Sequence, residues 1–530
     1  MSHFQSSQRA LASLCTAVLL FVLPGTGLTE TRAAAAEVWH FLDAWHFHKL
    51  DGVELCQGQP VWQKEKTFVD PVRKQLDTHL NSWTSVWRDE ASGQWRMVYS
   101  AKWRPATLFV AESDNGLDWR PLPCPDIEPV GGKIAPNHVF TLIDGSVGGA
   151  YLDPAAKDGF RFKMFGHRMG QAVIDDARHS PRHPQHTEAT SPEPFMHLAD
   201  ELTLVSRDGL HWEARPEYNW SQPGWHPEPP LFGFWHAQEQ RHFMTVRPGW
   251  GDRRVCIQET SDFQTWSGPQ PLLQPDPQDG LVEFYGMPVF RYGEAYIGLL
   301  WVFHCETSEP PTGFNRFVGS LDTHLTYSYD GRHFQRGFRQ PLIGLSAPGE
   351  VAGGAIETSF MVETDTELRF YSDATASQHG GRPTRGEAQR PATGIVIHTL
   401  RKDGLTYLRA QGGWGSLVSK PLVLFEPHLT VNLLAPQGEA LFQLSDVKGV
   451  PIPGFEFENF EPVAKVDDLR FPVRWRNRSI AEVLNQPIRL EARLRNAQLY
   501  AIRGSFHFLD AEDMYRLQAG KPIDPRWFDY

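Results

Sequence analysis

A seven-residue turn recurs through the middle of this chain and constrains the fold more than any other feature. Ser113-Asp114-Asn115-Gly116-Leu117-Asp118-Trp119 returns as Ser206-Arg207-Asp208-Gly209-Leu210-His211-Trp212. It returns again as Ser328-Tyr329-Asp330-Gly331-Arg332-His333-Phe334, and in degenerate form as Arg401-Lys402-Asp403-Gly404-Leu405-Thr406-Tyr407. Ser261-Asp262-Phe263-Gln264-Thr265-Trp266 reads as a further copy that has lost its glycine and one residue. Asp-Gly supplies the positive φ angles of a tight hairpin, and the aromatic three residues after the glycine packs back over the turn. A single heptad of this kind means little, whereas five in order along one chain mean a repeated hairpin.

A second hairpin precedes each copy. Ser85-Val86-Trp87-Arg88 turns into Trp95-Arg96-Met97-Val98-Tyr99, Pro288-Val289-Phe290 turns at Gly293 into Ala295 to Trp301, and Ser359 to Val362 turns at Asp365 into Glu367 to Tyr371. Each unit is therefore four antiparallel strands, and five such units predict an all-β chain with a five-bladed β-propeller over residues 37–413. A His- and Pro-rich insertion around Arg178 to Pro194 lengthens the second unit, and its His179, His183 and His186 read as a solvated loop. From Trp414 the repeat stops. Alternating segments such as Ala440 to Leu444, Ile488 to Ala492 and Ala497 to Arg503 predict a β-sandwich over residues 414–530.

Residues 1–36 read as an export signal: Arg9 gives the positive end, Leu11 to Leu23 the apolar stretch, and Ala33 to Ala36 a small-residue cleavage region. This predicts a secreted or periplasmic protein with no membrane attachment once the signal is cut. Cys56, Cys124, Cys256 and Cys305 remain, far apart and without a Cys-x-x-Cys pair, so nothing indicates a structural zinc site and at most one disulfide would form. A formal net charge of −12 leaves no basic excess to neutralise phosphates and argues against a nucleic-acid partner. The 18 tryptophans are mainly core, although flat aromatic rings also suit stacking on sugars. No Gly-rich phosphate loop and no Gly-x-Ser-x-Gly elbow is present, which disfavours nucleotide and esterase chemistry.

In a propeller the first strand of each blade starts near the central funnel, so chemistry is sought there. Those positions hold Asp77, His79 and Asn81 in the first blade, Asp144 or Asp153 in the second, and Trp225, His226 and Glu228 in the third. The fourth offers Glu283 and Tyr285, and the fifth Glu357. Cleaving a glycosidic bond needs one carboxyl held protonated and one ionised. Glu283, flanked by Val282, Phe284 and Tyr285, fits the acid, with Asp77 or Glu228 as its partner. Asp153 is a weaker candidate because Asp153-Pro154 followed by Asp158-Gly159 also reads as an outer turn. His226, Trp225, Tyr285, His79 and Asn81 would contact the sugar.

Three short segments carry a resemblance to the glycoside hydrolase family 32 and 43 superfamily. Glu283-Phe284-Tyr285-Gly286-Met287-Pro288-Val289-Phe290 is similar to the family-32 segment in which the acid/base glutamate precedes Cys-Pro and an apolar strand. Tyr296 to Trp301 is similar to the strand that follows, and Leu152-Asp153-Pro154 superficially resembles the Arg-Asp-Pro segment of the transition-state-stabilising aspartate. The Asn-Asp-Pro-Asn nucleophile motif is absent, no arginine precedes Asp153, and Trp225-His226-Pro227-Glu228 brings no aspartate to the third blade. The resemblance implies an exported glycosidase acting on oligo- or polysaccharide, with carbohydrate as its partner and no organic cofactor; fructan specificity does not carry over. The rival reading is a non-catalytic propeller that binds glycan or protein.

Overall fold

The repeated turns close in one way. In the computed structural model, which describes residues 36–70, 83–102, 106–142, 145–169, 199–220, 228–247, 253–308, 313–380, 392–521 and 523, the Ser113 hydroxyl accepts the Gly116 N–H at 2.9 Å. Asn115 Oδ1 accepts the N–H groups of Leu117 and Asp118, both at 2.9 Å, and Trp119 Nε1 donates to the Gly116 carbonyl at 3.1 Å. Ser206, Asp208, Gly209 and Trp212 repeat every one of these bonds. The third copy corrects its sequence reading. Thr260, not Ser261, takes the serine role, Asp262 Oδ1 accepts from Gln264 and Thr265, and Trp266 Nε1 donates to the Phe263 carbonyl. No residue is missing from this copy: Phe263 stands at the glycine position and adopts a φ of 61°.

The first four of these turns join the two outer strands of blades one to four in a ring of five antiparallel blades, the fourth and fifth of which are linked into one sheet by a parallel contact of Leu321 with Ala355. The first is Ser85–Arg88, Trp95–Lys102, Ala106–Ser113 and Arg120–Pro121. In the second, Gly145–Val147 and Tyr151–Leu152 form a broken innermost strand, followed by Phe162–Met169, Ala199–Ser206 and Trp212–Arg215. The third runs Glu228–His236, Arg241–Arg247, Val255–Thr260 and Gln270–Leu273. The fourth starts with Val282–Gly286 and Val289–Tyr292, then Ala295–Ser308, Gly313–Ser328 and Pro341–Ile343. The fifth is Ala355–Glu363, Glu367–Thr375 and Thr393–Arg401. Its fourth strand comes from the other end of the chain: Val61–Trp62 pairs with Thr399 and His398 and closes the ring.

Five apolar cores between neighbouring blades show that the ring is complete. Trp87, Leu108, Phe162 and Leu204 fill the first interface, and Phe165, Trp220, Leu231 and Met244 the second. Phe234, Phe243, Phe284 and Leu300 fill the third, and Leu299, Leu325, Ile356 and Phe370 the fourth. Val86, Met97 and Phe109 meet Tyr371 and Ile397 in the fifth, joining the last blade to the first. The expected five-bladed propeller is the observed fold.

The C-terminal part forms the expected sandwich around the long strand Leu422–Asp446. Its first half pairs with Ala497–Phe508, Val431 facing Ile502, and its second half with Ile488–Arg495, Ala440 facing Leu494. Leu417, Leu433, Phe442, Trp475, Leu490 and Leu499 lie in the core between the layers. The sheets divide the chain differently from the expected 37–413 and 414–530. Ala36–His40, Phe47–Asp51, Glu54–Gln57 and Thr406–Ala410 all belong to the C-terminal sheet. The first described strands thus lie in the sandwich, and the chain crosses at Val61–Trp62 to seal the propeller. The degenerate turn follows from this: Asp403 builds no repeat of the heptad bonds but faces the sandwich, where its carboxylate takes both Arg503 Nη groups, at 2.6 and 2.5 Å. The expected signal over residues 1–36 lies, except for Ala36, outside the described residues. The four described cysteines are buried and form no disulfide.

Candidate active site

The strand starts of the blades converge on an aromatic plug at one end of the axis. Trp83 from the first blade, Phe232 from the third, Tyr285, Trp301 and Phe303 from the fourth, and Ala355 from the fifth form one buried cluster. Alternation along each strand then aims a limited set of polar side chains at this plug.

Glu357 is the most unusual of them. It is 7% exposed, two residues into the innermost strand of the fifth blade, and its cross-strand partner is Asp373, 1% exposed. Burial pushes the Glu357 carboxyl up to about 8, the charge of Asp373 adds to the rise, and the Trp83 Nε1–H, donated at 3.4 Å, and the Arg247 charge only partly offset it. At neutral pH Glu357 is therefore a neutral acid. A carboxyl in this state can deliver a proton to a leaving oxygen.

Glu283, expected as the acid in an apolar setting, is placed otherwise. It is buried on the innermost strand of the fourth blade, but its carboxylate is ion-paired with Arg253. Two guanidinium groups lie against the Tyr285 ring, Arg247 at 4.6 Å and Arg253 at 5.7 Å from its centroid. The Tyr285 hydroxyl hydrogen-bonds His379 Nε2 at 2.9 Å. Through Tyr285 and the two arginines, Glu283 and Glu357 belong to one contiguous polar group around the plug. It combines a neutral carboxylic acid, a salt-bridged carboxylate and two cations, set against buried aromatic rings.

Asp153 lies elsewhere, a correction to its candidacy. It follows the exit of its innermost strand, at the end of the propeller that carries the Ser206–Trp212 turn, whereas Glu283 and Glu357 lie at strand entries. It accepts the Ala155 N–H at 2.9 Å and stands 3.4 Å from the buried Lys163 ammonium, which donates to the Phe160 carbonyl at 2.6 Å. Arg207 stacks on Phe160 at 4.0 Å, tying this turn to the neighbouring Asp-Gly turn. Burial raises the Asp153 carboxyl and Lys163 draws it back, as in a structural knot.

Glu228 opens the third blade with its backbone in register with Arg247; its side chain lies outside the described set. Asp77, His79, Asn81, Asp144, Trp225 and His226 also lie outside the described residues. Of the residues singled out in the sequence, Glu283, Tyr285 and Glu357 lie in this group; Asp373, Arg247, Arg253, His379 and Trp83 join them without having been singled out. Arg247 ends a second strand and Asp373 lies within one, positions that a reading of strand starts passes over. The one described group with metal-ligand composition, His304, Asp322 and His324, lies on the opposite face of the fourth blade from Glu283.

No protein-family model and no curated protein matches the chain. Among solved structures, an N-acetylgalactosamine deacetylase from F. plautii is similar at 13% identity and TM-score 0.40, over 66% of this chain and 96% of that one. A Bombyx mori GH32 β-fructofuranosidase is similar at 12% identity and TM-score 0.38, over 84% and 94%. A thermostable family-43 glycoside hydrolase gives 10% identity and TM-score 0.38, over 69% and 96%. The fold stands on the interblade cores and the closing strand, and the chemistry on the axial side chains.

Proposed function

We propose that this protein is an exported glycoside hydrolase that cleaves O-glycosidic bonds of oligo- or polysaccharides at the axial end of the propeller. The observation that carries the reading is Glu357, a carboxyl held protonated at neutral pH, in one group with the Arg253-paired carboxylate of Glu283. Hydrolysis of an acetal needs such a pair: one group gives the leaving oxygen its proton, and the other attacks the sugar or activates water. Glu357 takes the acid role that the sequence suggested for Glu283, and Glu283 becomes the ionised partner. Tyr285, Trp83 and Trp301 pack as buried rings beside the carboxyls and hold them in place, and His379 fixes the Tyr285 hydroxyl. Carbohydrate is the partner, and the sandwich, locked to the propeller by Asp403 and Arg503, serves as a structural support.

One observation favours a second reading, a non-catalytic glycan-binding propeller: the Glu283 charge is already matched by Arg253. Incubating the mature protein with a broad panel of plant, algal and microbial polysaccharides separates the two. New reducing ends support the hydrolase; retention on one glycan with no new ends supports the binding protein.

A further inference from the structure

We propose that His304, Asp322 and His324 form a binding site for a divalent transition ion of the zinc type, behind the fourth blade and apart from the axial carboxyls. The site follows from strand register. Ala295–Ser308 and Gly313–Ser328 are adjacent, with Val302 opposite Asp322 and Leu300 opposite His324. A period of two puts Asp322 and His324 on one face of their strand, and His304, two residues beyond Val302, on the same face of the neighbouring strand. Glu283 lies opposite Phe303 and Val282 opposite His304, so the axial glutamate occupies the other face of this sheet.

The three side chains offer one ligand atom each, all within 4.8 Å of one another. His304 Nε2 is 2.9 Å from Asp322 Oδ2, and His324 Nε2 is 3.0 Å from Asp322 Oδ1. Ligands about 2.0–2.2 Å from one ion stand roughly 3–3.5 Å apart, so these separations already suit a shared centre. The contacts are short but badly aimed as hydrogen bonds. His304 Nε2, His324 Nε2 and Asp322 Oδ1 are all buried atoms without a hydrogen bond of acceptable geometry. Asp322 and His324 are 7% and 3% exposed, so water does not make up the loss. Ring nitrogens that bypass the carboxylate they touch are presented to a common third point, which is what an ion requires.

The donor set selects the ion. Two imidazole nitrogens and one carboxylate oxygen suit zinc, cobalt or ferrous iron, whereas calcium and magnesium take oxygen ligands. The His304 side chain is 40% exposed and gives an entry path and room for a water ligand. On the inner side Arg336 Nη2 stands 3.4 Å from His324 Nδ1, a long contact, and its charge is matched by the buried Asp279, which Arg339 also reaches at 2.9 Å. A ring that ligates through Nε2 carries its proton on Nδ1, so ion binding gives up the Arg336 contact.

The test uses the full mature chain stripped with chelator and titrated with Co²⁺, read by visible absorption, and with Zn²⁺, read by calorimetry. The readout is the difference between wild type and His304→Ala, with Asp322→Asn beside it, so that background binding by other histidines cancels. His304 is partly exposed, so its variant keeps the fold, checked by an unchanged metal-free melting temperature. The expected result is one equivalent bound by wild type and weakened at least about a hundredfold in both variants, a tenfold change being about 1.4 kcal/mol. Ca²⁺ does not compete. Equal stoichiometry and affinity in wild type and His304→Ala overturns the proposal, and so does competition by Ca²⁺ at equal concentration.

Discussion

Glu357 and Asp373 face each other across the first two strands of the fifth blade, two buried carboxyls in one cross-strand pair. Burial and like charge favour the neutral form of Glu357, whose carboxyl is pushed up to about 8. A carboxyl raised on folding takes up a proton, so its contribution to stability is complete below the unfolded value near 4.5 and is lost as pH rises through about 8. Glu357→Gln, neutral at every pH, should therefore melt above wild type at pH 8 to 9, with the gap closing near pH 4.5. Thermal melts across that range check it; a gap that does not change with pH contradicts the buried acid.

Asp403 joins the propeller to the C-terminal sandwich. Burial pushes its carboxyl up, but hydrogen bonds from His40 and Arg503 outweigh this and hold it well below the usual carboxylate range. Asn432 Nδ2 donates a further bond at 2.8 Å. This stabilisation is present above the unfolded value near 3.8 and is lost only as pH falls through the depressed one. Asp403→Asn should cost about 3–5 kcal/mol at pH 7, because it leaves the Arg503 charge buried and unmatched. Urea unfolding of the two proteins at that pH measures the difference.

Gly209 adopts a φ of 78°, and a Cβ there would lie 2.3 Å from the Trp87 ring of the preceding blade. Gly209→Ala therefore meets both backbone strain, about 1–2 kcal/mol, and overpacking. Gly93, with φ 70° and open space around it, meets the strain alone. The Gly209 variant should melt clearly below Gly93→Ala. Equal melting temperatures would show that the repeated turn does not wedge neighbouring blades together.

Glu283 is the proposed ionised partner. Glu283→Ala should lower kcat/KM by about 10²–10⁴, the usual contribution of an acid–base or nucleophilic carboxylate. A small external anion such as azide should restore part of the rate, because it enters the space the carboxylate leaves. Activity equal to wild type would remove Glu283 from the site.

The propeller was legible because its turn is local: serine, aspartate, glycine and tryptophan within seven residues carry their own hydrogen bonds. What failed was what depends on distant pairing. Phe263 shifted the alignment of the third copy, which starts at Thr260 and not Ser261, because a bulky residue takes the glycine's positive φ. The register of Asp373 was hidden by a bulge between Thr358 and Phe360: counting back from the turn pairs Glu357 with Ala374 and puts Asp373 out of step. Residues 36–57 joined the sandwich because the ring closes with strand Val61–Trp62, which no local pattern announces. Glu283 and Tyr285 stand out in the sequence by strand position and by the resemblance of their segment, while the arginine that pairs with Glu283 comes from another blade and is invisible to spacing.

The most direct test of the central claim is the pH dependence of sugar release by wild type and Glu357→Gln on whichever glycan the panel identifies. If Glu357 is the acid, kcat/KM of wild type falls as pH rises through about 8, and the variant loses at least about a hundredfold at pH 7 together with that alkaline limb. A variant that keeps both the rate and the limb would place the proton donor elsewhere and contradict the account.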